Sequence, residues 1–342
     1  MIKRIIENIQ IIQMSKKVTP FLNGMDVEIN ELGLLHMKAE APKRIVRAKG
    51  FRFCPISFMT KVTASNGVSA TGFGEGEHDL LTLQKSIVEA IERVVFCSMK
   101  RLDSSIRSSN GWAAHGDAEK SMRSAAFELL ERDAVLTHWL TETPLSEVDA
   151  VSFSPKITAW VNGDLAFAPR FTNLRILVSN LGRIPSVTTV LSDQNGFAVL
   201  SHATAATLEL GISKALAETC RIAELSAVLS SSDELLTPED HAMAYTRNLK
   251  LPSFIFGKKE SFFNLSILWQ ESMRKFNLDS LNLKFLNFKC GHLTISRATC
   301  EDVQDLFFGE TEKAHKNEWI NIRRLKEVNG FRDLNLLPHV VP

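Results

Sequence analysis

The sequence predicts an α/β fold in which mixed and antiparallel sheets pack against long helices. Three observations predict it. Long segments at 79–99, about 117–140 and about 206–229 carry apolar residues at helical spacing. Short β-favouring pieces run between them, broken by Gly, Pro and Asn-Gly punctuation. The arrangement Glu-x-x-Glu-Arg occurs on two of the helices, and a Lys-to-Glu step of four residues recurs on the third. That recurrence points to internally duplicated strand–helix units and not to a solenoid, since no short period repeats.

Composition narrows the class. The chain has 342 residues, 44% of them hydrophobic, with 40 basic and 39 acidic side chains. This is ample for a core, and a net charge of +1 gives no electrostatic footprint for nucleic acid or an anionic membrane. Cys54, Cys97, Cys220, Cys290 and Cys300 show no C-x-x-C spacing and read as reduced thiols. Charges interrupt the apolar N-terminus every few residues, so it is neither a signal peptide nor a membrane span. No apolar run approaches the roughly 18 residues a membrane helix needs. A soluble, cytoplasmic protein is expected.

Along the chain, residues 2–15 suit a short amphipathic helix, and residues up to 43 form an irregular lead-in with a turn at Asn23-Gly24. Residues 44–342 are expected to form a single domain. Its first strands are the pieces Ile45-Val46, Phe51–Phe53, Phe58–Thr63 and Val68–Thr71. Gly72, Gly74 and Gly76 follow. Such a cluster can cradle phosphate, but no Gly-Lys-Ser/Thr comes after it, so a flexible strand-to-helix turn is expected.

The first long helix places Lys85, Glu89, Glu92 and Arg93 in one sector beside Thr82 and Ser86. Nearly every other position is apolar. The helix should therefore be largely buried, with its charged stripe facing a cavity. The bland alternative is a solvated face whose ion pairs contribute a few tenths of a kcal/mol. Recurrence of the arrangement on a second mostly apolar helix shifts the balance away from it. After turns at Asn110-Gly111 and Gly116-Asp117, with Asp117 as N-cap, the second helix carries Glu128, Glu131 and Arg132 on one face. Carboxylates paired at i,i+3 offer the hard oxygen ligands that Mg²⁺ takes, and the adjacent arginine is a fork-shaped phosphate donor. Four carboxylates and two arginines together indicate a nucleotide-phosphate site with more than one metal ion.

Residues 166–171, 174–178 and 186–191 read as a strand meander. The third helix carries Lys214, Glu218 and Arg221 as a degenerate third copy of the unit. Residues 230–260 read as a surface excursion, and 262–278 as a helix anchored by Trp269 and Phe276. Residues 283–288 and 293–297 should close as a hairpin, with Arg297 and Glu301 at its exit, a pair that taken alone reads as a lone salt bridge. Two prolines in NLLPHVVP stiffen the tail.

From about Phe51 onward the chain resembles the YcaO-domain proteins, ATP-using enzymes that activate backbone amides in ribosomal peptides. The signature S-x-x-E-x-x-E-R is complete as Ser86, Glu89, Glu92 and Arg93, and the SNG loop is Ser109-Asn110-Gly111. E-L-x-E-R-D-A is met by Glu128 through Ala134, and R-x-x-x-E by Arg297 and Glu301. The signature E-x-x-Q keeps Glu218 but has Arg221 where glutamine is usual.

The resemblance implies a YcaO-type fold around a nucleotide site, with ATP and Mg²⁺ as cofactors. It implies Glu89, Glu92, Glu128 and Glu131 as Mg²⁺ ligands and Arg93, Arg132 and Arg297 as phosphate partners. Ser86, Asn110, Glu218, Arg221 and Glu301 complete the nucleotide-binding set. In the azoline-forming branch, a Cys, Ser or Thr side chain attacks the preceding amide carbonyl, and the oxygen is phosphorylated and lost as phosphate. Pro338 and Pro342 keep the outer prolines of that branch's P-x-P-x-P tail. This favours cyclodehydration over thioamide or amidine formation, with His339 and the Pro342 carboxylate as candidates for proton transfer.

The partners implied are a precursor peptide and a separate leader-binding protein, since 342 residues filled by one such domain leave no room for that module. A homodimer is compatible with the sequence. A thioamide- or amidine-forming relative and a non-catalytic scaffold of a modification complex stay open. The four carboxylates argue against the scaffold, which has no need of buried charge.

Overall fold

A computed structural model describes residues 25–29, 33–40, 42–44, 56–76, 78–106, 108–153, 158, 171–179, 181–194, 198–229, 253–301 and 303. In chain order they form β1 (Met25–Ile29), β2 (Gly33–Ala39), β3 (Lys43–Arg44), β4 (Ile56–Ala64), β5 (Ser69–Gly76) and α1 (Asp79–Leu102). Next come β6 (Trp112–His115), α2 (Ala118–Thr141), β7 (Leu145–Val148), β8 (Phe171–Ser179), β9 (Ser186–Asp193), β10 (Ala198–Ala203) and α3 (Leu208–Leu229). The last are β11 (Phe256–Glu260), α4 (Phe262–Lys275), β12 (Leu283–Cys290) and β13 (Leu293–Cys300). The chain splits into two compact units. One comprises Met1–Val46, Cys54–Ala126 and Lys284–Thr299, the other Arg47–Phe53, Phe127–Leu283 and Cys300–Pro342.

The first unit holds a sheet of order β3-β4-β2-β1-β12-β13-β6, with β5 on the other side of β4. Met25–Ile29 and Gly33–Ala39, in the stretch expected to be an irregular lead-in, are strands. β1 pairs antiparallel with β2 from Met25↔Met37 to Ile29↔Gly33, and with β12 through Val27↔Cys290. The alternation behind this is short but real: Leu35 and Met37 are buried in the core while His36 and Lys38 are exposed.

The cluster Gly72, Gly74 and Gly76 lies in β5 and is not a flexible turn. A Cβ on Gly72 would overlap the backbone of Ser86 and Ala90, and one on Gly74 the backbone of Thr82. The glycines let α1 lie directly against the strand. Ser86, fully buried, fastens the same contact: its hydroxyl bonds Thr60 Oγ1 at 2.7 Å and donates to the Leu83 carbonyl at 2.8 Å. Ile87, Ile91, Val94 and Val95 of α1 close the core against Phe58 and Val62 of β4.

The second unit holds a five-stranded sheet of order β10-β9-β8-β7-β11, antiparallel except for the parallel pair β7–β11. The meander of β8 and β9 matches expectation, whereas β7, β10 and β11 were not foreseen. β10 is buried at every position, so it shows no alternation, and β11 closes the stretch read as a surface excursion. In α4, Trp269 is buried with its Nε1 donating to Ala205 O at 3.0 Å. Phe276 is the C-cap of α4, and its ring lies 5.8 Å from that of Phe127. Ser261 caps the start of α4 by accepting from Asn264 N.

Among the described residues no helix is long and apolar enough to cross a membrane. The expected helix at 2–15, the pieces Ile45-Val46 and Phe51–Phe53, residues 166–170, 230–252 of the excursion, and the tail with His339 and Pro342 lie outside the described residues.

Two outcomes follow from this packing. Gly74→Ala should lower the unfolding free energy by about 1–3 kcal/mol, as overpacking does, measured by urea denaturation; an unchanged midpoint would contradict the close approach. His138 of α2 is 3% exposed, and burial lowers its pKa to about 4, although its ring bonds Thr143 O at 2.8 Å. Its folded pKa lies below the unfolded value of about 6.5, so stability is complete above that pH and declines as pH falls toward 4. The loss should reach about 3 kcal/mol, at about 1.4 per pH unit. Denaturation of wild type and His138→Asn between pH 7 and 4 (about the two limits above) checks it, the variant showing the flatter curve.

Candidate functional site

Lys85, Glu89 and Arg93 stand one turn apart on α1 and meet the outer edge of β5, which among the described residues pairs only with β4. Phe73 N–H donates to Glu89 Oε2 at 2.9 Å, Arg93 Nη1 donates to Thr71 O at 3.0 Å, and Lys85 Nζ donates to Glu75 O at 3.2 Å. Arg93 Nη2 also pairs with Glu89 Oε1 at 2.6 Å, and its guanidinium lies 5.8 Å from the Phe73 ring centroid. Three members of the charged stripe therefore lie along the edge of β5. They satisfy backbone groups that an edge strand would otherwise leave unpaired. Glu92 lies half-buried beside it.

In the same unit, Asn110 is 8% exposed, and neither its Nδ2 nor its Oδ1 has a partner among the described residues. Gly111, at φ 77°, supplies the left-handed turn that sets Asn110 at the entrance to β6, and Ala298 N donates to its carbonyl at 2.8 Å. Arg297 of β13 sits opposite Trp112 of β6, its guanidinium 6.0 Å from the indole centroid. Trp112 is itself stacked on Phe288.

In the second unit the geometry of Glu89 recurs at Glu131. This buried carboxylate accepts from Thr204 N–H through Oε2 at 2.6 Å, and Oε1 faces Arg132 Nη1 at 3.8 Å. That distance is an ion pair but not a hydrogen bond, so among the described residues Arg132 Nη1 is buried without a hydrogen-bond partner. Burial pushes the Glu131 carboxyl up; Arg132 opposes this, and the Glu218 charge adds to it. Burial works against the Arg132 charge, yet Glu131, Glu218 and Glu128 together hold it above its usual value. On α3, Arg221 Nη2 donates to Glu218 Oε1 at 2.9 Å, and Lys214 lies one turn before Glu218. Glu128, Glu131 and Arg132 of α2 thus share one electrostatic neighbourhood with Lys214 and Glu218 of α3.

Of the expected site residues, Ser86 is turned inward and spent on Thr60 and Leu83; it anchors α1 and has no exposed surface to offer a ligand. Glu301 is exposed just beyond β13. The backbone N–H groups of Phe73 and Thr204 were not foreseen, and no side-chain pattern could have revealed them. Among the described residues, no group of three or more His, Cys, Asp and Glu side chains could hold a metal ion. Mg²⁺ does not require one, because it binds through one or two carboxylates and completes its shell with water and phosphate oxygens. Carboxylates held through one oxygen, each with an arginine on its own helix, are groups that fit a magnesium nucleotide.

Replacing Glu89 by Ala should speed hydrogen exchange at the Phe73 amide about tenfold, the equivalent of one lost hydrogen bond. Glu89→Gln, which keeps an acceptor, should leave it near wild type. Equal exchange in all three proteins would contradict the edge contact.

Comparison with known proteins accords with this chemistry. The YcaO cyclodehydratase family, described as ATP- and Mg²⁺-binding, matches residues 78–284, a span that includes both Glu-x-x-Glu-Arg helices and Glu218. Among curated proteins no sequence matches. A heterocyclase solved in complex with substrate and cofactor is similar over 96% of this chain, with a TM-score of 0.64 and 12% identity. The chain spans 57% of that protein's length. YcaO from Methanopyrus kandleri bound with AMPPCP and Mg²⁺ is similar over 89% of this chain and 91% of its own, with a TM-score of 0.55 and 12% identity. The E. coli microcin synthetase McbBCD complex with pro-MccB17 bound is similar over 81% of this chain and 91% of its own, with a TM-score of 0.52 and 12% identity. At such identities the likeness speaks for the fold, while the family match covers more than half of the 342 residues. The chain belongs to the YcaO cyclodehydratase family.

Proposed function

We propose that this protein is an ATP- and Mg²⁺-dependent enzyme that activates a backbone amide of a ribosomally made precursor peptide. It converts Cys, Ser or Thr to thiazoline or oxazoline with loss of the amide oxygen. One observation carries the nucleotide assignment: each unit places a helix-borne carboxylate with one oxygen on a backbone N–H and the other toward an arginine of the same helix. Both carboxylate–arginine pairs fall within the span of the family match.

ATP would supply the phosphoryl group that carries the amide oxygen away, with Mg²⁺ neutralising its phosphates. The residues of this chain would then position and compensate charge, as in other phosphoryl transfers. Glu89 and Glu131, each held through Oε2, keep Oε1 oriented, while Glu92 and Glu128 complete the ligand sets. Arg93, Arg132 and Arg297 meet the phosphates, and the Asn110 amide, able both to donate and to accept, meets the nucleotide. The microcin synthetase neighbour is a multi-protein complex, which supports a separate partner that holds the precursor's leader.

Isothermal calorimetry with ATP and Mg²⁺ tests the assignment. Wild type should bind, and Glu128→Gln should bind about 10–100-fold more weakly, the usual effect of altering a metal's surroundings. Equal affinity in the two proteins would remove Glu128 from the site.

A further inference from the structure

The geometry points to Arg221 as a fixed counter-cation for Glu218, filling the place beside that carboxylate that a divalent ion would otherwise take. This rests on the nucleotide assignment above and concerns how much Mg²⁺ the site demands. Arg221 and Glu218 lie three residues apart on α3, and their 2.9 Å contact is made by side chains only 11% and 30% exposed. An ion pair so far withdrawn from water is not a solvated surface bridge. Its surroundings are acidic: Glu218 acts electrostatically on both Glu131 and Arg132, and Glu128 acts on Arg132.

Among the described residues, three carboxylates (Glu128, Glu131 and Glu218) stand in this neighbourhood with three cations, Arg132, Lys214 and Arg221. Lys214 is exposed and mobile by nature, with four rotatable bonds, and its charge is shared with Glu131. Arg132 already faces Glu131. Arg221 is the cation in hydrogen-bonded contact with Glu218, whose charge also reaches Arg132. Guanidinium is charged at every accessible pH and does not exchange with solvent ions, so the neutralisation is permanent. A neutral side chain at 221 would leave the half-buried Glu218 carboxylate without its direct ion-pair partner, and mass action would then draw in a cation.

The test is ATP affinity as a function of free Mg²⁺, by calorimetry, for wild type, Arg221→Gln and Arg221→Lys. Arg221→Gln should lose about tenfold in affinity at limiting Mg²⁺, within the usual range of coupling between two ligands. It should recover at saturating Mg²⁺, with a plot of log affinity against log Mg²⁺ steeper by about one ion. Arg221→Lys should keep the wild-type slope. If Arg221→Gln is poorly folded, the double variant Glu218→Gln/Arg221→Gln removes both charges and should also show the wild-type slope. A loss in Arg221→Gln of the same size at every Mg²⁺ concentration would make Arg221 a phosphate contact and overturn the inference, as would coincident curves. Wild type that binds no ATP at any Mg²⁺ concentration would overturn the nucleotide assignment together with it.

Discussion

Charge withdrawn from water must be met by something, and in both units the first answer is a backbone N–H. Glu89 takes the amide of Phe73 and Glu131 the amide of Thr204, each through Oε2. Each then turns Oε1 toward an arginine on its own helix. A carboxylate anchored through one oxygen loses the freedom to swing away and can hold the other in a fixed direction. The arrangement costs desolvation, which the raised pKa of Glu131 records, since burial outweighs the nearby arginine there.

The surrounding fold supplies those amides at the right place. In the first unit α1 can reach the edge of β5 only because Gly72 and Gly74 bring helix and strand backbones into contact. The ladder of Lys85, Glu89 and Arg93 then spans Glu75, Phe73 and Thr71, the groups that face outward along one edge. In the second unit the donor comes from the residue after β10, where the chain leaves the sheet toward α3. Thr204 is fixed by its own hydroxyl, which donates to Pro185 O at 2.8 Å. Each carboxylate is thus oriented by a strand end or edge whose own geometry is overdetermined.

Much of this was legible in the sequence, for a physical reason. Helices of 24 residues carry many turns of periodicity, so α1 and α2 were foreseen within a few residues of their ends, and Asp117 caps α2 through Lys120 N as its position implied. Charged residues on otherwise apolar helices drew attention to Glu89, Glu92, Glu128 and Glu131. Short strands were harder. β6 is four residues enclosed by turn signals, and β10 is buried on both faces and so lacks alternation. The glycines of β5 read as a turn because close approach of a helix leaves no local trace. Ser86, singled out as a nucleotide contact, proved to be packed inward, since a small hydroxyl on a buried face serves as well for fastening a helix as for binding.

The central claim is that these carboxylates, two of them anchored to the fold through one oxygen, are arranged for a magnesium nucleotide. The most direct measurement is the unfolding temperature of wild type and of Glu92→Gln, each with and without Mg²⁺-ATP. Ligand that binds only the folded state raises the midpoint by mass action. The account predicts that both proteins unfold at the same temperature without ligand and that only wild type is raised by Mg²⁺-ATP. A lower ligand-free midpoint for the variant with an undiminished rise on adding Mg²⁺-ATP would contradict it, assigning the carboxylate to stability instead.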